Sequence, residues 1–128
     1  CGTEVDPPRR CWCSQACVDT YALIARPADA RRLVLARDHG VCAICRTDTL
    51  ALVAELEALD EHARSGRLRQ LRITSGRYLH RHTGGLWDMD QATPVVEGGG
   101  CCGLDNLRTL CIACHKNATA ALRRRRVT

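Results

Sequence analysis

Thr109-Leu110-Cys111-Ile112-Ala113-Cys114-His115-Lys116 carries two thiols three positions apart and a histidine directly after the second. Val41-Cys42-Ala43-Ile44-Cys45 repeats the spacing upstream. Two residues between thiolates let both sulfurs point at one ion, so each pair is a zinc knuckle by spacing. Two pairs complete a tetrahedral site of four thiolates. Such a site ties residue 42 to residue 114 and pins the chain between them. His115, bonded to a ligand residue, is then held rigidly at the start of the next segment, as a catalytic or metal-binding side chain must be.

The rest of the composition agrees with a crosslinked chain. Its 128 residues suit one domain, or one domain with a small appendage, and they include no Phe, two Trp and two Tyr. Aromatics usually supply much of a core's buried area, so this core must lean on Leu, Val, Ala and metal crosslinks. The ten cysteines fit either a secreted disulfide framework or intracellular zinc. The repeated spacing, with no visible signal peptide or membrane-spanning run, favours structural zinc in an intracellular, reducing compartment.

Residues 1–20 form a separate cysteine cluster, expected to be a small second zinc site. Cys13-x-x-x-Cys17 supplies half of it and Cys1 a third ligand; the fourth is Cys11 or a cysteine preceding Cys1. Free buried thiols are the alternative. Cys101 and Cys102 are further candidates for completing that site, with one buried and one exposed thiol the plainer reading.

The net charge is +5, and 18 of the 19 basic residues are arginine. Arginine makes bidentate contacts with phosphate, which suits a nucleic-acid partner. A GC-rich coding sequence accounts for arginine over lysine, but not for the run Arg123, Arg124, Arg125, Arg126.

The chain reads as α+β. Pro27 opens a helix over about 28–38, with Gly40 as its stop. Thr49 is expected to cap a second helix over about 50–64, with Leu52, Val53, Leu56 and Leu59 on one core-facing stripe and Gly66 as its end. Residues 67–85, basic and with His80 and His82, read as an irregular loop. Leu86-Trp87-Asp88-Met89-Asp90 alternates like a half-buried strand, and Gly98-Gly99-Gly100 is a loop. Leu107 to Leu110 is a second strand, and the second knuckle opens a final helix over about 112–125.

Asp90-Gln91-Ala92-Thr93-Pro94-Val95, Gly98-Gly99-Gly100, Leu104-Asp105-Asn106-Leu107, Thr109-Leu110-Cys111 and Cys114-His115-Lys116 together resemble the HNH (ββα-metal) endonuclease family. Within it, the chain resembles the HNH domain of zinc-finger Ran-binding annealing helicases and its bacterial relatives. The shared features are the Cys-x-x-x-Cys opening, the His39-Gly40-Val41-Cys42 approach and the Trp87 lead-in. The resemblance implies a small zinc-stabilised HNH domain over 21–128, with an inserted helix and basic loop at about 46–85, and it is weakest over 46–85.

The resemblance also implies a mechanism. One divalent ion, magnesium or manganese, would sit on Asp90 and His115, while Asn106 would fix the loop that aims the general base. DNA would be the partner, gripped mainly by its backbone through Lys116 and Arg123–Arg126, and the domain would form part of a larger protein. The chain departs from the pattern at position 91, where relatives carry the basic histidine and this chain has Gln91. A neutral amide cannot accept a proton near neutral pH, so cleavage is expected to be weak or absent, leaving a zinc-stabilised DNA-binding module as the alternative. His80 or His82 would be the substitute base if either approached. Asp88 and Glu97 lie near the site and could assist the ion, though the plainer reading is solvated acids; Asp105 reads as a turn residue rather than a metal ligand.

Overall fold

A computed structural model describes residues 26–98 and 103–127. Cys1, Cys11, Cys13, Cys17, Cys101 and Cys102, the candidates for the second zinc site, lie outside these residues. Pro27 opens helix α1 (Pro27–Asp38), and His39 closes it in the left-handed region at φ 54, its N–H donating to the Leu35 carbonyl. Gly40 follows at φ 74. A Cβ there would meet Leu50 Cγ at 2.9 Å and Thr49 Oγ1 at 3.0 Å, so both the turn and the close approach require glycine. The Gly40 carbonyl accepts from the Thr49 amide and hydroxyl at 3.0 and 2.6 Å.

That bond removes Thr49 from the capping role its sequence suggested. Asp48 caps α2 (Thr49–Ala58) instead, accepting from the amides of Leu50 and Ala51 at 3.1 and 3.0 Å. The helix expected over 50–64 is in fact two. Asp60 accepts from the Ala63 amide at 2.8 Å and starts α3 (Glu61–Leu71). Gly66 lies inside α3 rather than ending it, with no atom within 4 Å of where its side chain would be.

Residues 67–85 are not an irregular loop. They finish α3, turn at Arg72 (φ 60), form the short helix α4 (Ser75–Leu79) capped by Thr74, and end in a 3₁₀ turn, Arg81–Thr83. Leu68, Ile73 and Tyr78 anchor this stretch by burial against Leu52, Leu56, Leu86 and Ile112. The basic side chains hid these three anchors from a reading based on overall polarity.

Strands β1 (Trp87–Gln91) and β2 (Leu107–Cys111) pair antiparallel, with Trp87 opposite Cys111, Met89 opposite Thr109 and Asp90 opposite Arg108. Alternation along β1 then sorts its side chains. Trp87 packs with Ala30 and Val34 of α1, with Met89 against the same cluster. Asp88 and Asp90 point the other way, towards helix α5 (Ile112–Val127).

Candidate functional site

The two knuckles converge as their spacing required. The sulfurs of Cys42, Cys45, Cys111 and Cys114 all lie within 4.8 Å of one another. Cys45 Sγ and Cys111 Sγ are 3.7 Å apart, close to the roughly 3.8 Å edge of a tetrahedron with zinc–sulfur bonds of about 2.3 Å. The first knuckle is fixed onto the sheet by the Ala43 amide, which donates to the Thr109 carbonyl at 2.9 Å.

Their acidities show the need for a countercharge. The Thr47 hydroxyl, 3.1 Å away, leads the groups that lower the Cys45 thiol from 9.0 to about 6. Burial, reinforced by the neighbouring thiols Cys111, Cys45 and Cys42, pushes Cys114 up instead. Four thiolates this close need a cation to ionise together, and a structural divalent metal such as zinc fits the donor set.

The knuckle places His115 on the first turn of α5, facing β1. Its Nδ1 lies 2.8 Å from Asp88 Oδ2. A carboxylate only accepts, so Nδ1 carries the proton. The Nε2 lies 3.9 Å from Asp90 Oδ1, too far for a hydrogen bond. It is within reach of a shared ion, since two ligands at about 2.1 Å from one metal stand roughly 3–4.2 Å apart. Asp90 and His115 thus have the donor types and spacing to hold one divalent cation.

Each carboxylate also holds an arginine. Arg77 Nη2 donates to Asp88 Oδ1 and Arg108 Nε to Asp90 Oδ2, both at 2.9 Å. Asp88 is therefore no solvated acid. It orients His115, and Arg77 orients Asp88. The signal was available in the period-two spacing of Asp88 and Asp90, which puts both on one strand face.

Asn106 is buried. Its carboxamide accepts from the Thr93 amide at 2.7 Å and donates to the Thr93 carbonyl at 2.9 Å, while its backbone carbonyl takes the Ala92 amide at 2.8 Å. These bonds fix the chain immediately after Gln91. Gln91 lines a cleft of about 300 Å³ with Asp90, Arg108 and Arg125. A second cleft of about 560 Å³ opens beside His115, between Arg72 and Arg77 on one side and Lys116 and Arg123 on the other.

The arginine run wraps round α5, so its members differ. Arg123 and Arg125 line these clefts; Arg124 and Arg126 line neither. Glu97, read as a free acid, pairs with Arg125 at 3.2 Å. Asp105 sits in a 3₁₀ turn, Leu104–Asn106, as a turn residue would. His80 and His82 are exposed. His82 borders a different cavity, with Arg31 and Trp87, and neither histidine lines a cleft at Asp90 or His115.

Two antiparallel strands crossed by a helix, with acid and histidine meeting where strand and helix face each other, is the ββα-metal arrangement. The fold is similar to that in the crystal structure of the human ZRANB3 HNH domain, with a TM-score of 0.57 and 31% sequence identity over 78% of this chain and 93% of that one. The chain belongs to the HNH domain family. No family model matches it.

Among curated proteins, the mouse DNA annealing helicase and endonuclease ZRANB3 is 34% identical over 116 residues, or 85% of this chain. The human and bovine proteins of that name are 32% and 30% identical, over 85% and 94% of the chain. The alignments cover 11%, 11% and 12% of the three relatives, so the chain spans only about a tenth of their length.

Proposed function

We propose that this domain binds the DNA backbone and that Asp90 and His115 hold one magnesium or manganese ion at a scissile phosphodiester. Cleavage is weak or absent because Gln91 occupies the base position. The observation that carries this reading is His115 set between two carboxylates, beside two basic clefts. The relatives, described as endonucleases, support it.

The ion would stabilise charge developing on the phosphate and on the leaving 3′-oxygen. Asp88 keeps the proton of His115 on Nδ1 and leaves Nε2 free to act as a ligand. Arg108 takes one oxygen of Asp90 and leaves the other facing His115. Asn106 steadies the segment after Gln91, whose amide orients water without taking its proton. A missing general base costs about 10²–10⁴ in rate.

Plasmid nicking with Mg²⁺ or Mn²⁺ tests this. Gln91→His is expected to raise nicking by about 10² or more, and Asp90→Asn added to it should remove the gain. No gain from Gln91→His, with fold and zinc content intact, would defeat the missing-base account.

A second reading is a noncatalytic zinc-stabilised DNA-binding module. The placement of His80 and His82 away from both clefts favours it, because among the described residues no other imidazole borders Asp90. DNA retention without nicking, in both wild type and Gln91→His, is its signature. The four thiols fit a reducing compartment, and the short span relative to ZRANB3 fits a module of a longer protein. No helix among the described residues is long and apolar enough to cross a membrane.

A further inference from the structure

The two clefts share a residue. Thr119, one turn beyond His115 on α5, lines both. The surface beside the Asp90–His115 pair is therefore continuous, with Arg108 and Arg125 at one end and Arg72, Arg77, Lys116 and Arg123 at the other.

We infer that this surface is a track for the sugar–phosphate backbone of duplex nucleic acid, and that Arg72, from the turn after α3, is one of its phosphate contacts. The inference rests on the DNA reading above and adds where, and in what form, the nucleic acid lies.

Arg72 is the informative residue. It holds φ 60, a backbone conformation that favours glycine or asparagine. The turn itself needs only the main chain. The Arg72 amide donates to the carbonyls of Arg69 and Leu68, and its own carbonyl accepts from Lys116 Nζ at 2.6 Å. The guanidinium is exposed and leans on α5 through Asn117 Oδ1 at 2.8 Å. The side chain, which the turn does not need, lines the cleft beside His115. Across the cleft, Arg123 has no side-chain partner among the described residues, so its charge is available to a ligand.

The lining also selects the form of the ligand. Proteins that grip single strands stack bases on aromatic rings, worth about 1–3 kcal/mol per base. Among the described residues, neither cleft has an aromatic side chain apart from His115. Trp87 and Tyr78 are buried. Charge without stacking fits a duplex backbone and carries no base readout.

The test compares two variants of the zinc-loaded domain. Arg72→Gly and Arg46→Gly remove the same charge from the same backbone region, since Arg46 also has positive φ, at 65. Glycine suits both positions, so both should fold. Arg46 lies by the first knuckle and lines neither cleft. Affinity for a mixed-sequence DNA duplex is measured against salt, without added magnesium or manganese.

Arg72→Gly is expected to weaken binding several-fold and to shallow the slope of log K against log salt by about 0.9, one phosphate contact. Arg46→Gly should leave both unchanged. Equal effects of the two variants, or none from Arg72→Gly, would overturn the track and leave the DNA reading standing. Tighter binding of a single strand of equal length would overturn the duplex assignment. Absence of any salt-dependent binding by the wild type would overturn the DNA reading and the track with it.

Discussion

The imidazole of His115 is held from behind by Asp88, Nδ1 to Oδ2 at 2.8 Å, and so turns Nε2 towards Asp90. Partners that fix the far nitrogen of a ligand histidine typically contribute 10–100-fold in metal affinity. Asp88→Ala is expected to weaken Mn²⁺ binding by about that factor, while thermal stability of the zinc-loaded fold changes little. Titration calorimetry with Mn²⁺ measures the first and a thermal melt the second. An unchanged Mn²⁺ affinity would show that packing alone orients His115.

Removing the structural metal should unfold the domain. Zinc bound by such sites contributes about 10–16 kcal/mol in finger peptides, against about 5–15 kcal/mol for the whole stability of a typical domain. A zinc chelator is expected to abolish the helical circular-dichroism signal, and re-added zinc to restore it. Persistence of the folded signal after complete zinc loss would mean that the three small apolar clusters suffice.

Cys45 makes one contribution to the pH dependence, opposed by Cys114, whose thiol burial pushes up. The Cys45 thiol is lowered from 9.0 to about 6, first by the Thr47 hydroxyl. Between these values Cys45 binds more protons in the unfolded chain than in the folded one, so its contribution to stability rises with pH. The contribution is complete above 9.0 and is lost as pH falls through about 6. Thr47→Val should raise the pH at which zinc is released on acidification, read with a zinc-sensitive dye. A midpoint that does not move would mean that another group controls release.

Much of this was legible in the sequence. Thiol spacing located the knuckles, and alternation located β1, because both are local rules with a fixed period. Asn106, Asp90 and His115 came from motif resemblance, and the fold places them near one another. Three features were misread because local polarity competes with long-range burial. The single helix expected over about 50–64 runs across Asp60, which instead caps a new one. Residues 67–85 looked like a loop because Leu68, Ile73 and Tyr78 are sparse among arginines. Asp88 looked solvated because alternation puts it on one face with Asp90 but does not reveal that His115, 27 positions away, meets that face.

Two glycines should respond to alanine with opposite signs. At Gly40, positive φ and the 2.9 Å approach to Leu50 make alanine destabilising by more than about 1 kcal/mol. At Gly66, inside α3 with open space around it, alanine should stabilise by roughly 0.5–1 kcal/mol. Denaturant midpoints of the two variants give the comparison. Stabilisation at position 40 would show that the turn relaxes freely, contrary to its packing.

Arg108 carries two roles that one substitution can separate. Its guanidinium occupies Asp90 Oδ2 at 2.9 Å and places a positive charge next to the expected cation position. It also borders the Gln91 cleft, where a phosphate would approach. Arg108→Gln keeps a hydrogen-bond donor but removes the charge. Loss of a like charge from a partly buried site should tighten Mn²⁺ binding by at least several-fold, since two unit charges about 4 Å apart repel by about 1 kcal/mol even in bulk water. Loss of a cation from the cleft should weaken binding of a DNA duplex over the same range. Calorimetry with Mn²⁺ and duplex titration, run on one preparation, read both effects. If both affinities fall together, Arg108 acts by holding Asp90 in place rather than by its charge, and the carboxylate rather than the cleft sets the binding energy.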